Sequence, residues 1–157
     1  MWDKTQELRS KRGCEDAFLM ETPPLLGVRV TRVLDSLRNV SMADAIGKTT
    51  YEDVVGIAGV DIDGNLDGKK YSVWERPAWQ IPLRSLLPRK TPNLVVAGRC
   101  FGYEADITYD AREIATCLVT GQAAGTAAAK ALKDRASVQS VDPSEVQSTL
   151  RKAGVRI

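Results

Sequence analysis

The chain contains no histidine. That absence excludes the commonest general base, every Ser-His-Asp or Cys-His arrangement, and the commonest metal ligand. Any chemistry must come from another side chain or from a cofactor. Cysteine is scarce: Cys14, Cys100 and Cys117 are odd in number and show no CxxC spacing, which argues against a disulfide framework or a structural zinc site. Neither charge sign dominates, with 22 Lys and Arg against 20 Asp and Glu and a net charge of +2. No basic block offers a footprint for nucleic acid. Apolar runs fall well short of the roughly 20 residues of a membrane span. The opening "MWDKTQELRSKRGCED" lacks the apolar core of a signal peptide. The expectation is a cytoplasmic protein with neither nucleic acid nor membrane as a partner. Finally, neither GxGxxG nor GxxxxGK[ST] occurs anywhere, so the two common glycine-rich phosphate loops are absent.

What is present is an ordinary globular composition, 43% hydrophobic and 27% charged, in a chain long enough to bury a core. Residues 1–24 are polar, with a weak helical pattern, a break at Gly13 and a "TPPLLG" stretch whose prolines exclude regular helix. "VRVTRVLD" from Val28 alternates as a half-buried strand does, with Val28, Val30 and Val33 on one side. Ser41 followed by Asp44 predicts a capped short helix stopping at Gly47. Residues 54–76 read as a long hairpin, "VVGIAGVDID" out and "YSVWER" back, with turn chemistry in "GNLDGKK". "RPAWQIP" and "LLPRKTP" predict little regular structure, whereas "NLVVAG", residues 93–98, suits a buried strand. The class expected is α/β (mixed α+β): a β-rich part over 25–90, then one buried strand and a long C-terminal helix over 91–157.

Asp110 with Glu113 three residues on resembles a capping box. From Ala111 helix formers dominate through Arg135, about 24 residues or roughly 36 Å. Asp142 as cap with Pro143 at the first helical position opens another helix, ending at Gly154. The long helix carries "GQAAGTAAAKAL", residues 121–132. Its glycines lie too far inside the helix to cradle phosphate, because interior N–H groups are already bonded. Cys117, Gly121, Gly125, Ala128 and Leu132 share one face, which predicts close packing there and moves the expected ligand site to the helix start.

"IPLRSLLPRKTPNLVVAGRC", then Arg112, then "TCLVTGQAAGTAAAKAL" resembles the C-terminal part of FAD-dependent oxidoreductases related to fumarate reductase flavoproteins. "GVRVTR", residues 27–32, resembles a further motif of one branch. The resemblance covers roughly residues 25–135 and implies FAD as cofactor. It places Gly98, Arg99 and Cys100 at the end of the strand passing the flavin's ribityl and pyrophosphate region. It places Arg112, Glu113 and Ile114 at the helix start beneath the pyrimidine edge, where a helix N-terminus stabilises the negative charge of reduced flavin. Two departures matter. The GxGxxG unit is missing, which implies the C-terminal portion of a longer enzyme, inactive alone and completed by an N-terminal part. Asp63 stands where the branch often has a histidine in Asp-Ile-His, so no catalytic residue is assigned.

Among Arg29, Arg32, Arg76 and Arg84, candidates for a bidentate grip on a small-molecule carboxylate or for solvated surface pairs, Arg84 is singled out as substrate-binding because "IPLR" leads to the cofactor strand. Cys100 reads as a thiol at the cofactor edge or as a small buried hydrophobe. Tyr103 and Tyr109 line a pocket or simply pack; Trp74 and Trp79 pack the hairpin. "DIDGNLDG" lacks the glutamate an EF-hand needs at position twelve, so no metal is expected. The alternative to the enzyme is a non-enzymatic folded remnant or self-associating interaction module, a homo-oligomer.

Overall fold

The computed structural model describes residues 2–25, 27–58, 64–66, 69–71 and 78–157. Its elements are α1 (Trp2–Arg9), α2 (Met42–Ile46), β1 (Val54–Ala58), β2 (Gly64–Leu66), β3 (Lys69–Tyr71), β4 (Trp79–Pro82), α3 (Thr108–Ala111), α4 (Ile114–Asp134) and α5 (Pro143–Lys152). Short 3-10 turns occupy Leu83–Leu86, Gly98–Cys100, Ala105–Ile107 and Val138–Ser140. The class is mixed α+β, with the long helix in the C-terminal part, as the sequence predicts.

Local signals act where they stand. Ser41 caps α2 by accepting from Asp44 N–H, and the Asp44 carboxylate accepts from Ser41 N–H at 3.0 Å, a reciprocal box. Asp142 caps α5 through Ser144 N–H at 2.9 Å, with Pro143 at the first turn. Gly154 follows with φ +81°, a left-handed stop that costs glycine little.

The hairpin is longer than expected and nested. β1 pairs antiparallel with β4, Val54 opposite Pro82 and Ala58 opposite Trp79, with an irregularity between Val54 and Gly56. β2 pairs with β3, Leu66 opposite Lys69. "RPAWQIP" therefore supplies a strand where little structure is expected. Trp79 and Ile81 are buried, and Pro82 closes the strand, where a missing N–H is tolerated. Trp74, Arg76 and residues 61–63, including Asp63, lie outside the described residues.

The core gathers Val40, Met42, Trp79, Ile81, Leu83, Leu86, Phe101, Ile107, Val146 and Leu150. Burying each large side chain contributes about 1.5–3 kcal/mol. Phe101 and Tyr103 meet tilted, centroids 5.1 Å apart. α4 packs across β1 and against α5, and its buried face is Thr116, Thr120, Ala123, Ala124, Ala127 and Ala131.

Three expectations fail here. The face of Cys117, Gly121, Gly125, Ala128 and Leu132 is not the packed one. Gly121 and Gly125 have nothing within 4 Å of where a Cβ would stand, and Leu132 is 81% exposed. α4 carries two small-residue stripes, and the alanine stripe turns inward, where its methyl groups bury apolar surface that glycine lacks. The close approach of sheet to helix uses Gly56 instead: a Cβ there would strike Cγ1 of Val119 on α4. The second failure is the helix start. Asp110 is buried within α3 and its carbonyl accepts from Glu113 N–H and Thr116 Oγ1. Glu113, extended at φ −63° and ψ 152°, is the N-cap, without a side-chain cap bond. Third, neither residues 28–33 nor residues 93–98 form a strand. Leu34 N–H bonds Cys100 O and Val96 N–H bonds Leu86 O. Single bonds of this kind fix an extended segment without making a ladder, which needs a partner in register.

Candidate functional site

The cleft at the start of α4 is built from three separated stretches. The Gly98–Cys100 turn begins at Gly98, whose φ of +73° is left-handed, a conformation glycine adopts without a steric penalty. Its N–H donates to Thr120 Oγ1 at 3.0 Å, and that oxygen also lies 3.0 Å from the carbonyls of Thr116 and Cys117. The turn is thereby fastened to the first turns of α4, and Arg99 is carried to the helix start. From the other side, Arg112 and Glu113 fill the break between α3 and α4. From the N-terminal stretch comes Arg29, whose carbonyl oxygen accepts from Arg99 Nη1 at 3.4 Å.

Arg29, Arg99, Arg112, Glu113, Ile114, Cys117 and Leu118 line one cleft of about 460 Å³. The Arg112 guanidinium lies 4.6 Å from the Tyr109 ring centroid and Nη1 is 3.8 Å from Glu113 Oε1. Stacking and the ion pair hold it in place before any ligand arrives. The first N–H groups of α4 have no intrahelical acceptor, and the cleft beside them is lined by three arginines against one glutamate. The cleft is therefore suited to a planar or extended ligand that is anionic or rich in acceptor oxygens. Burial raises the Cys117 thiol above its ordinary pKa, with Arg99 pulling the other way and Glu113 and Cys100 adding to the rise.

Of the residues singled out from the sequence, Arg99, Arg112, Glu113 and Ile114 are brought together here. Gly98 forms the turn behind them. Cys100 is exposed and follows Arg99 without lining the cleft. Arg84 lies elsewhere, on a cleft of about 480 Å³ with Glu52, Asp142 and Gln147. There its Nε and Nη2 meet the two Asp53 oxygens at 3.0 Å each, and its N–H bonds Asp53 Oδ2 at 2.9 Å. Tyr103 is buried with its hydroxyl on Arg99 O at 2.8 Å. Tyr109 is half exposed beneath Arg112. The sequence alone assigns Leu118 no role and places Cys117 on a closely packed helix face; their spacing of four and three residues from Ile114 is the signal for a shared outer face.

Among the described residues, no helix is long and apolar enough to cross a membrane, and no group of three or more His, Cys, Asp or Glu gathers as a metal site. Searches among curated proteins and among solved structures find no match. A family model, described as FAD dependent oxidoreductase, matches residues 1–150. The lining fits that cofactor: three arginines line the cleft at the start of α4, and flavin and phosphate oxygens are acceptors. On a match covering nearly its whole length, the chain belongs to the FAD-dependent oxidoreductases, and FAD is the cofactor of its family.

Proposed function

We propose that the chain is the C-terminal portion of an FAD-dependent oxidoreductase of the fumarate reductase flavoprotein-like branch, and that the Arg29–Arg99–Arg112 cleft receives the flavin's polar edge. The observation that carries this is the meeting of Arg29, Arg99 and Arg112 in one cleft at the start of α4, whose N-cap makes no side-chain bond. FAD, when bound, supplies the electron-accepting chemistry that no ordinary side chain provides. Arg112, held by Tyr109 and Glu113, orients the acceptor edge. The α4 N–H groups stabilise negative charge there, and Gly98 lets the preceding backbone pass close to the cofactor. A substrate carboxylate at Arg84 has to compete with Asp53, so substrate is recognised in part by residues beyond this cleft.

In this reading an N-terminal part carrying GxGxxG binds the adenosine half, and the chain alone takes up little flavin and turns nothing over. Mixing the chain with that part of a family member should produce the flavin absorbance band in a co-purifying complex. Arg99→Gln with Arg112→Gln should weaken the uptake about tenfold or more, equivalent to roughly 1.4 kcal/mol. Stoichiometric flavin on the chain alone would overturn the fragment reading, and unchanged uptake by the double variant would overturn the role of the cleft.

A second reading, a self-associating module without activity, has one observation in its favour. Ile114, Leu118 and Leu132, exposed at 78%, 69% and 81%, run along the outer face of α4 with Gly121 and Gly125 between them. In the first reading the rest of the enzyme covers this face; in the second, another copy does. Light scattering separates them: a concentration-independent monomer eliminates the second.

A further inference from the structure

The cleft beside Arg84, about 480 Å³, has the size of a small-molecule site. Its apolar wall is Leu83, Leu87 and Val141, all buried, with the exposed Leu37. Both of its positive features are neutralised inside the chain. Arg84 Nε and Nη2 each lie 3.0 Å from an oxygen of Asp53, whose side chain is 7% exposed. The first N–H groups of α5 go to Asp142: Ser144 N–H to Oδ1 at 2.9 Å, and those of Glu145 and Val146 to the carbonyl at 3.1 and 3.4 Å. Acceptors are what remain. The exposed Glu52 and Asp142 carboxylates line the cleft and form no ion pair among the described residues. Gln147, nine-tenths buried, lines it too. Its Nε2 donates to the carbonyls of Glu52 and Val54, and two carbonyl partners identify that end of the amide as the nitrogen. Its Oε1 is left without a partner among the described residues.

We propose that this cleft binds a small-molecule primary amine, as its ammonium, carried on an apolar stem. An ammonium brings three N–H donors and no acceptor, the complement of Gln147 Oε1 with the Glu52 and Asp142 carboxylates. Leu37, Leu83, Leu87 and Val141 take the stem, whose burial adds affinity. A carboxylate on the same stem meets two carboxylates that nothing in the cleft compensates, since Arg84 is held by Asp53. The site shares no residue with the arginine cleft and stands or falls apart from flavin binding.

The test titrates the full, isotope-labelled chain with hexylamine, 1-hexanol and hexanoate at low salt, following backbone amides by NMR. Hexylamine should saturate, with its largest shifts at Arg84, Ser144 and Gln147, and should bind about tenfold or more tighter than hexanoate. Glu52→Gln with Asp142→Asn should weaken hexylamine about threefold or more. Both changes spare the fold, because Glu52 serves it through a backbone carbonyl and asparagine caps a helix as aspartate does. Hexanol or hexanoate binding as tightly as hexylamine overturns the proposal, and so do shifts that map elsewhere or a double variant that binds hexylamine unchanged. The amide of Nα-acetyl-lysine carries the same ammonium on a peptide backbone; if it binds tighter than hexylamine, the cleft is a dock for a protein's lysine and the small-molecule assignment fails.

Discussion

At Gly56 a methyl group would run into Cγ1 of Val119, whereas at Gly121 it would meet open space. Replacing the same residue by alanine should therefore act in opposite directions. Gly56→Ala forces β1 away from α4 and should destabilise by about 1–3 kcal/mol, as overpacking does. Gly121→Ala removes a flexible residue from an exposed helix interior and should stabilise by up to about 1 kcal/mol. Urea denaturation of both variants checks this, and a loss of stability in Gly121→Ala would show that the outer face of α4 is covered. Adding Val119→Ala to Gly56→Ala should recover part of the loss, since the two side chains then share the space one vacates. Gly102 is similarly confined, its missing Cβ directed at the Ser36 side chain and the Ser85 carbonyl.

Among the elements, α2 is held by charge at its first turn. Burial pushes the Asp44 carboxyl up, but hydrogen bonds from the Ser41 N–H and hydroxyl, with Arg38 Nη2 at 2.6 Å, more than offset it and leave the pKa below the usual carboxylate value. A pKa lower in the folded state means stability present above the unfolded value, about 3.9, and lost as pH falls through the folded one. The stability gap between the wild-type chain and Asp44→Asn should therefore narrow as pH falls below about 4; a gap independent of pH would remove the carboxylate from the account. Ser41→Ala should cost about 1 kcal/mol at neutral pH. Caps of this kind were legible in the sequence because donor and acceptor lie within three residues of each other. The extended segments over 28–33 and 93–98 were misread for the opposite reason: alternation and apolar runs describe faces, and only a distant partner turns a face into a ladder. At the site, Arg99 and the Arg112, Glu113 and Ile114 trio were reached through the family resemblance, and the structure brings them to one cleft. Arg29 joins them from 70 residues away, which no local signal announces. The alanine and glycine stripes of α4 were indistinguishable by size, so which of them faces inward had to be learned from the packing.

Across the whole molecule, one side chain joins the last helix to the start of β1. Gln147 on α5, nearly buried, donates its Nε2 to the carbonyls of Glu52 at 2.7 Å and Val54 at 3.0 Å. Leu83 N–H bonds Asp53 O across the sheet, so the neighbouring Val54 carbonyl points away from β4, toward the Gln147 amide. Gln147→Ala should leave both carbonyls without this donor and cost about 1–3 kcal/mol, with faster amide exchange along α5. An unchanged urea midpoint would rule out that contribution. The same contact sets a schedule during synthesis. Gln147 is made 95 residues after Glu52, roughly 5 to 20 seconds later at ordinary translation rates. For that interval the head of β1 exists before its last donor, and a nascent chain stalled in this window presents two carbonyls without the amide that serves both.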